Sequence, residues 1–412
     1  MHRRCWMLHS LLLSQILLYG LPTIFGQVKE MRIVQAESEP LSPSISLESC
    51  PQMRIAVING VNFHFEVLAG ILHVLKPFEG RIEVFLSPWI QKENYDGVSD
   101  LISWSKAKVR STNGNHQSLR KVYGLAILIS TDYEVVQNQR LLNMLQPAST
   151  IAVVHNSDYK NMPSLLNLSS NLALVTLSPH VAESLSKVTG KTVQWLLPVY
   201  PLRPDPDCTA SLGSSTLSKM DPNCLKGFSM QGKFSNLRRN YSDMWKQILE
   251  HAPDIQSDTT VGGLFHMNVL GKGPDRLNLP PQLQNLVSVH RRLPFQSFYT
   301  VICHTLALIP SLASQNYFTS KFSSTIITSL STGTPIIASN RLMRAYHFLK
   351  PDTVYVQSNG EEEIDVMLKI TRMTSEELLQ TRKRLRGLSE ELNKRTLDVI
   401  EGYLHKACQA AL

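Results

Sequence analysis

Arg238 and Arg239 stand side by side in Gln231-Gly232-Lys233-Phe234-Ser235-Asn236-Leu237-Arg238-Arg239-Asn240-Tyr241, between an apolar run and a helical one. A glycine at such a turn lets backbone approach a diphosphate, and a guanidinium holds its oxygens with two parallel hydrogen bonds. Further on, Tyr317-Phe318-Thr319-Ser320-Lys321-Phe322-Ser323-Ser324-Thr325 sets a lysine and several hydroxyls at the start of an expected helix. The first turn of a helix offers unpaired N–H groups and the positive end of its dipole, so this segment is an expected anion and ribose site. Gly333-Thr334-Pro335 then turns the chain into the next strand. Two segments of the first half supply the opposite chemistry. Asn59-Gly60-Val61-Asn62-Phe63-His64-Phe65-Glu66 gives a backbone turn, an imidazole and a carboxylate; His155 closes an apolar run where it can take a proton or orient a hydroxyl. The expected assignments are therefore His155 and Glu66 as catalytic groups, and Asn59, Gly60 and His64 as an acceptor loop. Gly232, Arg238, Arg239, Lys321, Ser323, Ser324, Thr325 and Gly333 form the nucleotide side. Each segment also has an ordinary reading: a βα turn with a surface histidine, a satisfied structural histidine, a solvated basic loop, hydroxyls that only cap a helix.

These residues need a scaffold, and the hydropathy pattern describes one. Residues 53–58 are a short apolar run, and Phe63 to Leu75 carries apolar residues at helical spacing before Pro77. Ile82–Leu86, Leu125–Ile129, Thr150–Val154 and Leu172–Leu177 follow as strands, and Ser178-Pro179 opens a helix through Lys187. Continuous apolar strands alternating with helices indicate a parallel sheet covered on both faces. A second series starts with a strand from Lys226 to Gly232 and a helix over Tyr241–Glu250. Strands are expected at Thr259–Leu264 and Leu286–His290, a helix over Pro294–Leu306 and a short strand at Ile309. A helix over Ser323–Leu330 precedes strands at Thr334–Ala338 and Thr353–Val356. Thr374 with Glu377 reads as a capping box for the last helix, whose Leu378, Leu385, Leu388, Leu392, Val399 and Tyr403 form one stripe. The expected fold class is α/β, with two Rossmann-like domains facing a central cleft, at 51–200 and 225–370. A linker spans 201–224 and a terminal helix 371–412. In such sheets ligands bind at the carboxyl ends of the strands.

The chain has 412 residues, 43% of them apolar and 18% charged, which excludes intrinsic disorder for most of its length. Its 41 Lys+Arg against 33 Asp+Glu give a net charge of +8, yet the basic residues are scattered. The densest group, Arg382-Lys383-Arg384-Leu385-Arg386, lies on a helix among glutamates, so no nucleic-acid partner is expected. There is no CxxC pair, no GxGxxG and no GxxxxGK[ST]. Cys208 and Cys224 flank a Ser/Thr-rich loop and read equally as a disulfide or as two thiols.

At these positions the chain resembles the GT-B glycosyltransferases. The likeness covers about residues 51–370 and is strongest at 226–241 and 286–338. Met230-Gln231-Gly232 with Arg238-Arg239 is similar to the family's diphosphate loop, and Ser320 to Ala338 resembles its donor helix and the strand that follows. The resemblance implies transfer of a sugar from a nucleotide-sugar donor to a glycan, protein or small-molecule acceptor, with no cofactor and no metal. Many members carry two glutamates eight positions apart on that helix; here Ser320 and Thr328 stand there, with Lys321, Ser323 and Ser324 as the nearest polar substitutes. That departure keeps a second reading open, a non-catalytic GT-B-like protein that binds sugar or a partner. A periplasmic-type binding protein shares the two-lobed outline but lacks the Gln-Gly and Arg-Arg pattern.

Met1-His2-Arg3-Arg4 precedes an apolar segment from Trp6 to Phe25, the order of a signal peptide or signal anchor at 1–26. Residues 27–50 are rich in Ser, Pro and Glu and read as a stem. Asn167-Leu168-Ser169 and Asn240-Tyr241-Ser242 are glycosylation sequons. The expected setting is the Golgi or endoplasmic reticulum lumen, as a type II single-pass membrane protein or a secreted one.

Overall fold

The computed structural model describes residues 50, 53–114, 116–120, 122–160, 162–202 and 224–411. The expected signal segment, nearly all of the stem and most of the linker lie outside these residues, as does Cys208. Cys224 is disulfide-bonded.

Seven strands form the first sheet: β1 (Arg54–Asn59), β2 (Ile82–Leu86), β3 (Lys108–Ser111), β4 (Tyr123–Leu128), β5 (Ser149–Val154), β6 (Leu172–Thr176) and β7 (Gln194–Trp195). Their spatial order is 3-2-1-4-5-6-7 and every pairing is parallel, so the chain winds outward in both directions from β1 and β4. Ile55, Val57, Leu125, Ile127, Ile151 and Val153 are all wholly buried, as strands with helices on both faces require. The helices are α1 (Phe65–Val74), α2 (Pro88–Glu93), α3 (Val98–Ile102), α4 (Val135–Leu145), α5 (Met162–Leu166) and α6 (Pro179–Thr189).

The second lobe has β8 (Phe228–Lys233), β9 (Met267–Lys272), β10 (Val287–Arg291) and β11 (Ala307–Leu308) in the order 10-9-8-11, again parallel. A bridge from Leu308 to Ile336 continues this layer to the parallel pair β12 (Ile337–Ser339) and β13 (Tyr355–Gln357). Its helices are α7 (Tyr241–Ser257), α8 (Thr259–Leu264), α9 (Phe295–Cys303), α10 (Ser324–Thr332), α11 (Asn340–Ala345), α12 (Glu363–Thr371) and α13 (Ser375–Ala411).

One expected strand is a helix. Thr259–Leu264 forms α8 because α7 runs past Glu250 to Ser257 and Asp258 then caps a new turn, accepting from the Val261 N–H at 3.2 Å. The sheet takes Met267–Lys272 instead, whose Met267, Val269 and Leu270 are wholly buried. The Thr374–Glu377 box is present, with the Thr374 N–H on the Glu377 carboxylate at 2.8 Å and the Glu377 N–H on the Thr374 hydroxyl at 3.3 Å. The apolar stripe of α13 shifts along its length. Leu378, Leu385, Leu388 and Leu392 are buried, but further on Ile400, Leu404 and Cys408 replace Val399 and Tyr403 as the buried set. A strict seven-residue spacing drifts by about 20° per repeat on a straight helix, which moves the buried face one position on.

α13 also joins the lobes. It starts on the second, where the Arg382 guanidinium donates to the carbonyls of Cys303, Thr305 and Gly333. It ends on the first, where Asn393 and Thr396 accept from the N–H groups of Val199 and Leu197, and Cys408 is disulfide-bonded to Cys50 with Cα atoms 6.0 Å apart. Among the described residues no helix is long and apolar enough to cross a membrane.

Candidate functional site

A cleft of about 790 Å³ opens between the carboxyl ends of the two sheets. Of the residues singled out by sequence, His64, Glu66, His155, Gly232, Arg238, Arg239, Lys321, Ser324 and Thr328 line it. The others do not. Asn59 is buried, donating to the Phe63 carbonyl at 3.1 Å and accepting from Ser130 at 2.9 Å. Gly60 donates its N–H to Glu134 at 3.2 Å, and any Cβ there would collide with that carboxylate. These two hold the loop from beneath instead of facing the cleft. Ser323 is buried, its N–H on the Tyr346 hydroxyl at 3.0 Å. Thr325 is buried under Arg239, and Gly333 closes the far end of α10 as its left-handed C-terminal residue.

The two arginines differ. Arg239 is 3% exposed, and its guanidinium turns inward: Nε donates to the Gln231 carbonyl at 3.1 Å, Nη1 to the Arg238 carbonyl at 3.0 Å and Nη2 to Thr325 at 2.9 Å. Gly232 (φ +141°) makes room for it, since a Cβ there would lie 2.8 Å from Nη2. Arg238 is half-buried at the cleft and forms no ion pair among the described residues. Lys321 sits opposite Tyr317, with Nζ 5.5 Å from the ring centre.

The first lobe contributes a wall with little charge. The rings of His64 and His155 stack at 3.6 Å, 5° from parallel. His64 Nδ1 is 3.0 Å from the Ser130 hydroxyl. Because Ser130 gives its own proton to Asn59, this order of donors assigns the Nδ1–H tautomer to His64 and leaves Nε2 as an acceptor. His155 Nε2 faces the Ile129 carbonyl at 2.7 Å. Burial lowers the pKa of His155 to about 4 and holds that of His64 well below the ordinary range, with His155, Lys321 and Arg238 adding to the effect on His64. Burial raises Glu66, with Lys272 opposing. Asp132 and Glu134 behind this wall are both raised to about 7, again chiefly by burial. Two neutral imidazoles therefore face a ledge of cations: Lys233, Arg238, Lys272, Arg292 and Lys321.

Lys233, Lys272 and Arg292 escaped the sequence reading. Lys272 lies in Gly271-Lys272-Gly273-Pro274 at the end of β9, a turn that correct placement of that strand would have marked. It is ion-paired with Asp96 from the opposite lobe. Asn94, Asp96 and Gly97 all have left-handed backbone, the first two without being glycine. On the other flank the lobes pair backbone to backbone. The Ser157 N–H donates to the Ser320 carbonyl and the Phe322 N–H to the His155 carbonyl, both at 2.9 Å, closing an antiparallel bridge between Asn156 and Lys321. The Ser320 hydroxyl donates to Asp158. Among the described residues no group of three or more His, Cys, Asp or Glu could hold a metal ion.

No family model matches the chain, and no curated protein matches it. Solved structures do. HepE from Anabaena, in complex with UDP and glucose, superposes with a TM-score of 0.56 over 85% of this chain and all of its own, at 10% identity. HepE in complex with UDP-glucose gives the same values. Sucrose-phosphate synthase from Thermosynechococcus elongatus superposes with a TM-score of 0.51 over 87% of this chain and all of its own, at 12% identity. The fold is GT-B. In a GT-B chain the cleft between the two sheets is where strand ends and the start of α10 converge, and the lining residues above occupy that place.

Proposed function

We propose that the chain is a glycosyltransferase that moves a sugar from a nucleotide-sugar donor to an acceptor without a metal ion. The observation that carries this reading is the polarity of the cleft, cationic on the second lobe and close to neutral on the first. UDP, glucose and UDP-glucose in complexes of HepE, which shares the fold, support a nucleotide-sugar donor. Arg238, Lys321, Lys233 and Lys272 would face the diphosphate, and fixed cations stabilise the charge that grows on a leaving group. Arg239 would act from beneath, fixing the loop that carries Arg238. His155 and Glu66 remain the acceptor-side candidates. His64 joins them, because its Nε2 carries a lone pair beside the acceptor wall. The lobes, bridged on both flanks, would keep water from the reacting centre.

The N-terminal segment is proposed to carry the chain into the lumen of the secretory pathway, anchored or released. The Cys50–Cys408 disulfide and the bonded Cys224 support an oxidising compartment. A second reading, a non-catalytic GT-B-like binding protein, is favoured by one observation. Ser320 stands where many members carry a glutamate, and its hydroxyl and carbonyl are both spent on the opposite lobe.

Thermal unfolding of the purified chain with UDP, GDP, ADP and their sugar conjugates, with and without chelator, separates the two. Ligand at 100 times its dissociation constant adds about 2.7 kcal/mol. A shift with one nucleotide that survives chelator supports the transferase, and Arg238→Ala should then weaken that nucleotide by about 1–3 kcal/mol. No shift with any nucleotide supports the binding protein.

A further inference from the structure

Tyr133 is an aromatic side chain held at the cleft. It is 45% exposed, yet the turn that carries it, Ser130-Thr131-Asp132, is wholly buried. That turn is tied by the Tyr133 N–H on the Ser130 carbonyl at 3.0 Å and the Thr131 hydroxyl on the Leu128 carbonyl at 3.2 Å. Exposure here therefore comes from a fixed position and not from a loose loop. Phe63 packs edge-on against Tyr133 at 4.9 Å, and the tilted ring of Tyr159 lies 6.0 Å from it. Phe63 and Tyr133 both line the cleft, next to His64. Leaving an aromatic face in water forgoes the gain that burial would bring, about 25 cal/mol per Å² of apolar surface.

Resting on the transferase reading above, we infer that Phe63 and Tyr133, with Tyr159 packed beside Tyr133, form the acceptor subsite and that its occupant is a neutral pyranose stacked on the Tyr133 ring. Three features select that chemistry. An aromatic face is electron-rich and attracts the C–H groups of one face of a sugar ring. The rim around it is polar, with Asn62, His64 and Arg238 at hand for hydroxyls, which is unsuited to an acyl chain. The wall beside it carries neutral imidazoles, whose ring nitrogens pair with hydroxyls. A ring seated on Tyr133 has its hydroxyls next to His64, the group whose Nε2 is left as an acceptor.

The test is saturation-transfer NMR with methyl glucoside, methyl galactoside and methyl mannoside, with and without UDP, on wild type, Tyr133→Ala and Tyr133→Trp. At least one glycoside should bind wild type alongside UDP, bind Tyr133→Ala at least fivefold more weakly and be retained by Tyr133→Trp. UDP affinity should change less than twofold in each variant. Because Tyr133 is 45% exposed and its turn is held by backbone bonds, both variants should still unfold cooperatively, and the measurement includes that control. If UDP binds but none of the glycosides does, the sugar subsite is wrong while the donor reading stands. If UDP displaces the glycoside, the platform holds the nucleobase and the inference fails. Equal glycoside binding by Tyr133→Ala places the sugar elsewhere. Failure of both UDP and the glycosides removes the transferase reading along with the subsite.

Discussion

Asp132 shows how much of this site depends on burial, which residue types alone do not reveal. Its carboxyl is wholly enclosed, and desolvation outweighs nearby backbone N–H groups and Lys321, raising its pKa from 3.8 to about 7. A carboxyl raised in the folded state binds its proton more tightly there than in the unfolded chain. Its contribution to stability is therefore complete below about pH 4 and lost as pH rises to about 7. His155 works in the opposite sense: lowered to about 4, it loses stability as pH falls from about 6.5. Asp132→Asn isolates the first effect because both proteins keep His155. The variant should gain on wild type between pH 5 and pH 8, by about 2.7 kcal/mol at roughly 1.36 kcal/mol per pH unit over the two units from pH 5 to about 7. Melting curves across that range check it, and a constant difference would mean that Asp132 is solvated. The sequence marked the two arginines, His64, His155 and Lys321 because cations and imidazoles after apolar runs are visible one residue at a time. It could not separate Arg238 from Arg239, since the inward turn of Arg239 depends on Thr325, 86 residues away. Nor did it mark Asp132 or Tyr133, whose character is set by enclosure.

Elements read well where their determinants are local. The alternation of apolar strands and helices placed the five central strands of the first lobe, and the Thr374–Glu377 box placed the start of α13, because both depend on neighbours within a few residues; the short edge strands β3 and β7 carry no buried apolar run and were missed. The error at α8 was also local: two β-branched threonines and a valine look like a strand until Asp258 is seen to cap them, and it hid Lys272. The bridge at Asn156 and Lys321 was out of reach, since two three-residue segments far apart in sequence have no period that could announce them. That bridge has a measurable consequence. Ser157 and Phe322 sit in irregular segments, and both amides are bonded across the lobes at 2.9 Å. If the bridge persists in solution, these amides should exchange with deuterium as slowly as those of β5, at a cost close to that of global opening. Exchange at the rate of an exposed loop would show that the lobes separate readily at the start of α10. The closed geometry would then be only one state of the cleft.

The whole molecule is held by a helix that begins on one lobe and ends on the other. Arg382 near its start is a buried cation with no carboxylate partner among the described residues. Its Nη1 and Nη2 donate to carbonyls at the carboxyl ends of α9 and α10, where the helix dipoles favour positive charge, while its Nε is buried without a partner. Asn393 and Thr396 then bond the chain that leaves the first sheet, and Cys408 ties the last turn to Cys50 just ahead of β1. The disulfide closes a loop of 358 residues that contains both lobes. Cross-links over long loops restrict the unfolded chain most, and native disulfides contribute about 2–5 kcal/mol. Two outcomes are distinguishable for the double variant Cys50→Ala/Cys408→Ala, which leaves the bond at Cys224 untouched. If α13 is an integral part of the fold, the variant unfolds in a single transition at lower temperature, and amides throughout β4 and β5, against which α13 packs, lose protection together. If the disulfide only secures a terminal turn, the melting temperature stays within a degree of wild type and extra exchange is confined to the last residues of α13. The buried positions of Leu385, Leu392, Ile400 and Leu404 along the helix favour the first outcome, because detaching it would expose apolar surface on both lobes at once.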